Sequence, residues 1–158
     1  MASKRTFPGW GYWIEELNAS TLYQNWDGSQ SRNHIMFGSI GDYFYKGLAG
    51  IRPVEENPGF EKILIQPSFD NDLEWVEAGH ESPFGMIRSH WKKEGESIVL
   101  DLQVPANVTA EVRLPEGAAS SLQLNGKQVP DEDLIREPDT ASAYTGLLVG
   151  SGKHVLAF

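Results

Sequence analysis

The sequence has no cysteine among its 158 residues. Disulfides, thiol nucleophiles and thiolate metal sites are excluded together, and the redox compartment stays open, cytoplasm and periplasm alike. Cations are few: 13 Lys and Arg stand against 22 Asp and Glu, a formal charge of −9. Such a balance repels phosphate backbones and anionic lipid heads, so neither nucleic acid nor a membrane is an expected partner. Long apolar runs are also missing. None approaches the roughly 20 residues that span a bilayer, and the opening Met1-Ala2-Ser3-Lys4-Arg5 leads into no apolar stretch of a signal peptide, so a soluble chain is expected. The length suits about one domain, with at most an appendage. What is present is a substantial apolar payload: 40% hydrophobic and 22% charged residues, with five Trp, five Tyr and seven Phe. A disordered chain would lack so many rings that need a packed interior.

The two parts of the chain follow different periodicities. Phe7, Trp10, Tyr12, Trp13, Tyr23, Trp26, Phe37, Tyr43, Phe44 and Tyr45 all precede position 46, and they include three of the five tryptophans. Apolar residues at 10, 13, 14 and 17 recur at helical spacing, with Glu15 and Glu16 on another face, which predicts a short helix. A second helical segment is predicted from Asn33 to Leu48. Gly38 and Gly41 inside it each cost about 1 kcal/mol relative to Ala, and their tolerance implies that another backbone or a ligand lies close. Arg52-Pro53 ends this region. From Phe60 the period becomes two. Strands are predicted at 62–66, 73–76, 85–91, 98–104, 108–114, 121–124, 146–149 and 155–158, separated by turns such as Glu94-Gly95, Pro105-Ala106-Asn107 and Asn125-Gly126. Asn125-Gly126 suits a type I′ turn, because both residues adopt positive φ cheaply. The fold class expected is mixed, mainly β: a short helical segment followed by an antiparallel β-sandwich, with the boundary between residues 50 and 58.

Two helices this rich in aromatics carry more apolar surface than a monomer ordinarily leaves in water. Docking on the sandwich, self-association through the aromatic helices, and a larger helical domain outside this chain would each cover it. Residues 19–28 and 33–38 gather aromatic faces, amides, His34 and Asp27. Sugars suit that mixture, since a pyranose has an apolar face for stacking and a rim of hydroxyls for amides and carboxylates. A loop whose amides cap helix ends would use the same residues. Glu15, Glu16, Asp27 and Asp42 are the candidate acids and bases, although Glu15 and Glu16, adjacent on a helix, point about 100° apart and face each other poorly. No metal site and no cofactor are expected: His80, His90 and His154 are isolated, and Asp70-Asn71-Asp72-Leu73-Glu74 lacks the glycine and terminal glutamate spacing of a calcium loop and suits a solvated turn.

Trp10-Gly11-Tyr12, the run Ala19-Ser20-Thr21-Leu22-Tyr23-Gln24-Asn25-Trp26-Asp27-Gly28, Asn33-His34-Ile35-Met36-Phe37-Gly38-Ser39-Ile40-Gly41 and Leu48-Ala49-Gly50-Ile51 together carry a resemblance. In order and spacing they resemble the end of the catalytic domain of bacterial α-L-rhamnosidases. The resemblance implies residues 1–52 as the last helices of a truncated (α/α)6 six-hairpin toroid and residues 53–158 as a C-terminal β-sandwich. It implies a parent enzyme that hydrolyses terminal α-L-rhamnose with inversion. One carboxylic acid protonates the leaving oxygen and one carboxylate activates water, and the substrate is a rhamnose-containing carbohydrate. The general acid lies upstream in such enzymes, outside this chain. The family's Tyr-Glu-Asn-Trp motif is Tyr23-Gln24-Asn25-Trp26 here, which puts Gln24 where the general base should be. His34 and Trp26 match sugar-binding positions. An amide has no useful proton affinity near neutral pH, and losing general base catalysis removes about 10² to 10⁴ in rate, so this fragment is expected to be inactive alone. The resemblance assigns the exposed aromatic face to the missing toroid portion. A different class of function, a carbohydrate-binding or interaction module, would place its site on the sandwich, at a surface Trp75 or Trp91.

Overall fold

The computed structural model describes residues 4–69, 72–136 and 144–158. The chain divides into two compact units, Met1–Tyr43 and Phe44–Phe158. The predicted turn at residues 70–74 lies partly outside the described residues. No helix among the described residues is long and apolar enough to cross a membrane.

The first unit opens with helix α1, Trp10–Glu15. It stops two residues short of the predicted end because Asn18 takes a positive φ of 50°, and Ala19 N–H then bonds back to the Trp13 carbonyl at 2.9 Å, a left-handed cap that satisfies a terminal acceptor. The second predicted helix is a broken one. A 3₁₀ turn, Met36–Ser39, leads into one α turn, Ile40–Asp42, and then a π turn, Tyr43–Leu48. Gly38 has the close neighbour its tolerance implied: a Cβ there would sit 3.0 Å from Leu22 Cδ1. Gly41 has none within 4 Å, so its place in the segment is not explained by crowding.

The second unit is built of two sheets, the mainly β sandwich expected. The first contains β1 (Ile51–Pro53), β2 (Lys62–Ile65), β6 (Thr109–Pro115), β9 (Leu134–Arg136) and β10 (Tyr144–Val149), in the order β1-β2-β6-β10-β9. The second contains β3 (Trp75–Ser82), β4 (Gly85–Glu94), β5 (Ser97–Val104), β7 (Gln123–Leu124), β8 (Lys127–Gln128) and β11 (Gly152–Ala157), in the order β3-β4-β5-β11-β7-β8. Among the described residues all strand pairings are antiparallel but one. β2 and β6 run parallel, with Ile63 beside Ala110 and Ile65 beside Val112. A parallel pair needs a crossover, and the chain makes it by passing through β3, β4 and β5 of the other sheet. Strands β1, β8 and β9 are absent from the sequence prediction, since two or three residues do not establish a period. β3 extends to Ser82, because His80 and Ala78 continue an alternation that Gly79 obscures.

Inward residues of both sheets form one core: Ile63 and Ile65 of β2, Ala110, Val112 and Leu114 of β6, Ile87 and Trp91 of β4, Leu100, Leu102 and Val104 of β5, and Leu156 of β11. Two polar groups of β4 admitted to this interior are satisfied, whereas Nδ1 of His154 on β11 is buried without a partner among the described residues. Ser89 Oγ donates to the Ala49 carbonyl and Trp91 Nε1 to that of Leu48, each at 2.8 Å. Asn125 and Gly126 have φ of 52° and 76°, the two positive values of the predicted turn between β7 and β8. At Gly50, φ is +75° and a Cβ would lie 2.2 Å from Pro67 N and 2.3 Å from Gln66 C, backbone atoms that cannot give way. Gly126 has open space around it. Gly50→Ala is therefore expected to lower the unfolding free energy by more than about 2 kcal/mol, adding a backbone clash to the strain of positive φ, whereas Gly126→Ala loses only about 1 to 2 kcal/mol. Urea unfolding of the two variants checks this, and equal losses would show that space at Gly50 is not limiting.

Candidate functional site

The sequence-predicted site lies in the first unit, around a cluster of rings. Trp13 is 1% exposed, and its indole N–H donates to the Trp26 carbonyl at 2.8 Å. Trp26 packs at centroid distances of 4.7 Å from Trp13, 5.0 Å from Trp10 and 4.3 Å from Phe37, and Tyr23 lies 5.6 Å from Trp13. Offset and edge contacts of this kind add to the stabilisation that ring burial supplies. α1 contributes Trp10 and Trp13, at i and i+3 on one helix face, and a loop from Leu22 to His34 contributes Tyr23 and Trp26.

Two backbone hydrogen bonds, His34 N–H to the Leu22 carbonyl and Gln24 N–H to the Ser31 carbonyl, both 2.8 Å, hold the arms of that loop together. Gln24 is on one arm and His34 on the other. Thr21 Oγ1 donates to the Arg32 carbonyl, a further tie between them. At the tip, Asp27 Oδ1 accepts the Ser29 N–H at 2.9 Å, an Asx turn, and Asn25 Nδ2 donates to Ser29 Oγ at 3.0 Å. Gly28 is buried with φ +76°, and a Cβ would meet Leu17 at 2.9 Å and the Tyr23 ring at 3.3 Å. The Trp-Asp-Gly sequence is thus a turn whose shape the ring cluster requires.

The side chains named from the sequence have these settings. Gln24 Oε1 accepts the Ser31 N–H at 3.4 Å, a long bond. His34 Nδ1 accepts the Met36 N–H at 3.2 Å, so in its neutral form the ring carries its proton on Nε2, which is left as a donor. Trp26 is half-buried among the rings. Glu15 pairs with Arg5 at 3.1 Å. Asp27 is an exposed carboxyl held below its ordinary range by its hydrogen bonds with the Ser29 side chain and then the Ser29 backbone. A cleft of about 240 Å³ opens beside α1, lined by Trp10, Trp13, Ile14, Ser20, Thr21 and Leu22 among others. None of its lining residues carries a carboxyl, and Gln24, Trp26 and His34 are not among them.

In the second unit the histidines serve separate contacts: His80 stacks on Phe60 at 4.5 Å, His90 Nδ1 lies 3.6 Å from Asp101, and His154 Nε2 lies 2.8 Å from the Gly150 carbonyl. No group of three or more His, Asp or Glu that could hold a metal ion is found among the described residues. Of the two tryptophans proposed for a sandwich surface, Trp91 is wholly buried with its N–H used, which corrects the sequence reading: its place at an inward position of a central strand leaves no ring face for a ligand. Trp75 is 62% exposed. Sequence reasoning missed a second, larger cleft of about 440 Å³ bounded by Leu124, Val129, Pro130, Ile135 and Leu147, with Lys127 and Asp133 among them. It depends on the short strands that no periodicity marks.

Residues 1–48 match the model of the bacterial alpha-L-rhamnosidase 6 hairpin glycosidase domain, and residues 50–128 that of the bacterial alpha-L-rhamnosidase C-terminal domain. An α-L-rhamnosidase of Streptomyces avermitilis is 30% identical over 162 residues, covering 96% of this chain and 15% of the relative. One from Alteromonas sp. is 30% identical over 138 residues, covering 80% of this chain and 15% of the relative. Among solved structures, the α-L-rhamnosidase from Dictyoglumus thermophilum matches with a TM-score of 0.77 at 30% identity, over 99% of this chain and 18% of that one. The S. avermitilis α-L-rhamnosidase complexed with L-rhamnose matches with a TM-score of 0.75 at 28% identity, over 99% of this chain and 15% of that one. The chain thus spans 15% of the length of the curated relatives quoted. β10 and β11 lie beyond the matched residues yet pair inside the two sheets, so the folded unit extends past the match.

The Asx turn makes a prediction. In an NMR pH titration Asp27 is expected to ionise below the ordinary aspartate value of 3.8, and Ser29→Ala is expected to move it upward. A depressed pKa stabilises the loop above the unfolded-state value, and that contribution disappears as pH falls through the pKa of the folded form. An unmoved Asp27 in Ser29→Ala would remove the Ser29 hydroxyl as the cause and leave the Ser29 backbone N–H, which the variant keeps.

Proposed function

The chain belongs to the bacterial α-L-rhamnosidase family, and from that premise we propose that it acts as the C-terminal part of an α-L-rhamnosidase-like glycoside hydrolase. Residues 1–52 supply the last helices of the six-hairpin catalytic domain and residues 53–158 the β-sandwich that follows. The supporting observation is the order of the two family matches, catalytic domain first and C-terminal domain second, with one residue between them. In the whole enzyme the reaction is inverting hydrolysis of a terminal α-L-rhamnose, in which one carboxyl protonates the leaving oxygen and a base takes a proton from the attacking water.

On this reading the Leu22–His34 loop is one wall of the sugar cavity. His34 donates from Nε2 to a sugar hydroxyl, its tautomer set by the Met36 N–H. Trp26 stiffens the wall through its contacts with Trp10, Trp13 and Phe37. Gln24, at the base position, accepts a hydrogen bond from water and orients it without removing its proton, so the chain by itself performs no hydrolysis. The exposed apolar side chains Ile14, Ile35 and Met36 support a covering partner, the preceding hairpins of the toroid.

Assayed on p-nitrophenyl α-L-rhamnoside, the 158-residue chain is expected to release nitrophenol no faster than buffer. Turnover by the chain alone would overturn the reading. In a protein that also contains the preceding hairpins, Gln24→Glu is expected to raise the rate by about 10² to 10⁴, the gain a general base supplies. If Gln24→Glu turns over no faster than the same protein with Gln24 kept, position 24 is not the base position. Sedimentation in the absence of those hairpins distinguishes self-association from a face awaiting another polypeptide.

A further inference from the structure

We propose that the outer face of the β3-β4-β5-β11 sheet is a binding platform for a neutral, pyranose-based oligosaccharide, centred on Trp75 and independent of the catalytic reading above. The cross-strand register builds this face. Trp75 stands beside Lys92, Glu77 beside His90, Gly79 beside Arg88 and Glu81 beside Met86. Across the next pair, His90 stands beside Asp101 and Arg88 beside Gln103. These side chains share one face because residues alternate along a strand, and Ile87, Ser89, Trp91, Leu100 and Leu102 between them are turned into the core.

Trp75 is the large apolar group most out of place here. An indole is ordinarily well buried, yet this one is 62% exposed on an edge strand, held at 78° to the His90 ring with centroids 6.5 Å apart. Four residues along β3, roughly 13 Å at about 3.3 Å per residue, is a second apolar spot. A Cβ on Gly79 would lie 3.2 Å from Met86 Sδ, so the thioether of Met86, itself 38% exposed, covers the bare backbone there. Between the two spots lie hydrogen-bonding groups of both kinds, donors on Arg88 and His90 and acceptors on Glu77 and Asp101. An apolar patch for a ring face, beside mixed donors and acceptors for hydroxyls, is what a pyranose chain offers partners to.

The charge on this face selects a neutral ligand. The chain carries −9 overall with its histidines neutral, but here each cation stands beside an acid: Arg88 lies 3.7 Å from Glu77 and Lys92 2.5 Å from Glu94, and Asp101 lies 3.6 Å from the His90 ring, which pairs with it as a cation only when protonated. Neither a polyanion nor a polycation gains from such a surface, whereas uncharged hydroxyls hydrogen-bond to it without breaking its pairs completely. The spacing of the two apolar spots exceeds one sugar ring, so binding should strengthen with chain length.

The test is a titration of the ¹⁵N-labelled 158-residue protein with cellobiose, cellohexaose and maltohexaose, following the indole N–H signals. The Trp75 signal is identified by its loss in Trp75→Phe. Expected are saturable shifts centred on Trp75 and its neighbours with at least one hexaose, weaker binding of the disaccharide, and an affinity unchanged within about twofold between low and high NaCl. Trp75→Ala, which removes an exposed ring and should leave the circular dichroism spectrum intact, is expected to weaken binding about tenfold or more, and Trp75→Phe by less. Four outcomes overturn the proposal: no saturable shift with any of the three sugars, binding that Trp75→Ala leaves unchanged, salt-sensitive binding of polygalacturonate in preference to the neutral sugars, or concentration-dependent self-association abolished by Trp75→Ala. Because no turnover is measured, failure here is separate from failure of the hydrolase reading.

Discussion

Two hydrogen bonds from β4 hold the start of the sandwich in place. Ser89 and Trp91 turn inward from a central strand and donate to the carbonyls of Ala49 and Leu48, where the π turn ends and β1 is about to begin. Both donors are buried, and a buried donor left without an acceptor costs more than a made bond gains, so the carbonyls must stay where they are. Gly50 lies between those carbonyls and β1, against the backbone of Gln66 and Pro67, and its own carbonyl accepts the Gln66 N–H at 2.9 Å. The first strand of one sheet is thereby fixed by a strand of the other. The junction between the two family matches falls at the same place.

The first unit relies on ring packing rather than on regular secondary structure. Among its described residues, the one α-helix of more than a turn has six residues, too short to be stable from propensity alone, and it persists because Trp13 is enclosed by Tyr23, Trp26 and Phe37. The loop that carries Gln24 and His34 is shaped by the same packing, through Gly28 under the Tyr23 ring and the bond between Trp13 and the Trp26 carbonyl. Gln24 and His34, proposed to meet a sugar, are therefore positioned by a loop whose shape the ring cluster sets.

Much of this was legible in the sequence, and the rest was hidden for identifiable reasons. Strands β4, β5 and β6 announce themselves because Ile87, Ser89 and Trp91, or Leu100, Leu102 and Val104, alternate with neighbours that are only half-buried or exposed. Asn125-Gly126 announces its turn because few other pairs take two positive φ values. The brief strands β1, β8 and β9 exist only through their partners, and no window of two or three residues contains that information. Alternation likewise cannot show that β2 lies parallel to β6, since inward and outward faces are the same in either direction. At the candidate site, the motif located Gln24, Trp26 and His34 on one loop, but not the Asx turn that occupies Asp27, nor the burial that removes Trp91 from any surface. Burial of a single residue in a period-two strand depends on which face is covered, and the covering sheet is remote in sequence.

The parallel pairing of β2 with β6 has a consequence for the order of assembly. Ile63 lies beside Ala110, so β2 acquires its second neighbour only after three intervening strands have been laid in the opposite sheet. Until then β2 has β1 alone, and a two-stranded ribbon is marginal in water. The β3-β4-β5 meander, joined by short turns, closes its loops at little entropic cost and is placed to form first as a template. As the chain emerges from a ribosome, the apolar side of that meander has only the β1-β2 ribbon to cover it until β6 arrives, and apolar surface left open in that interval favours aggregation.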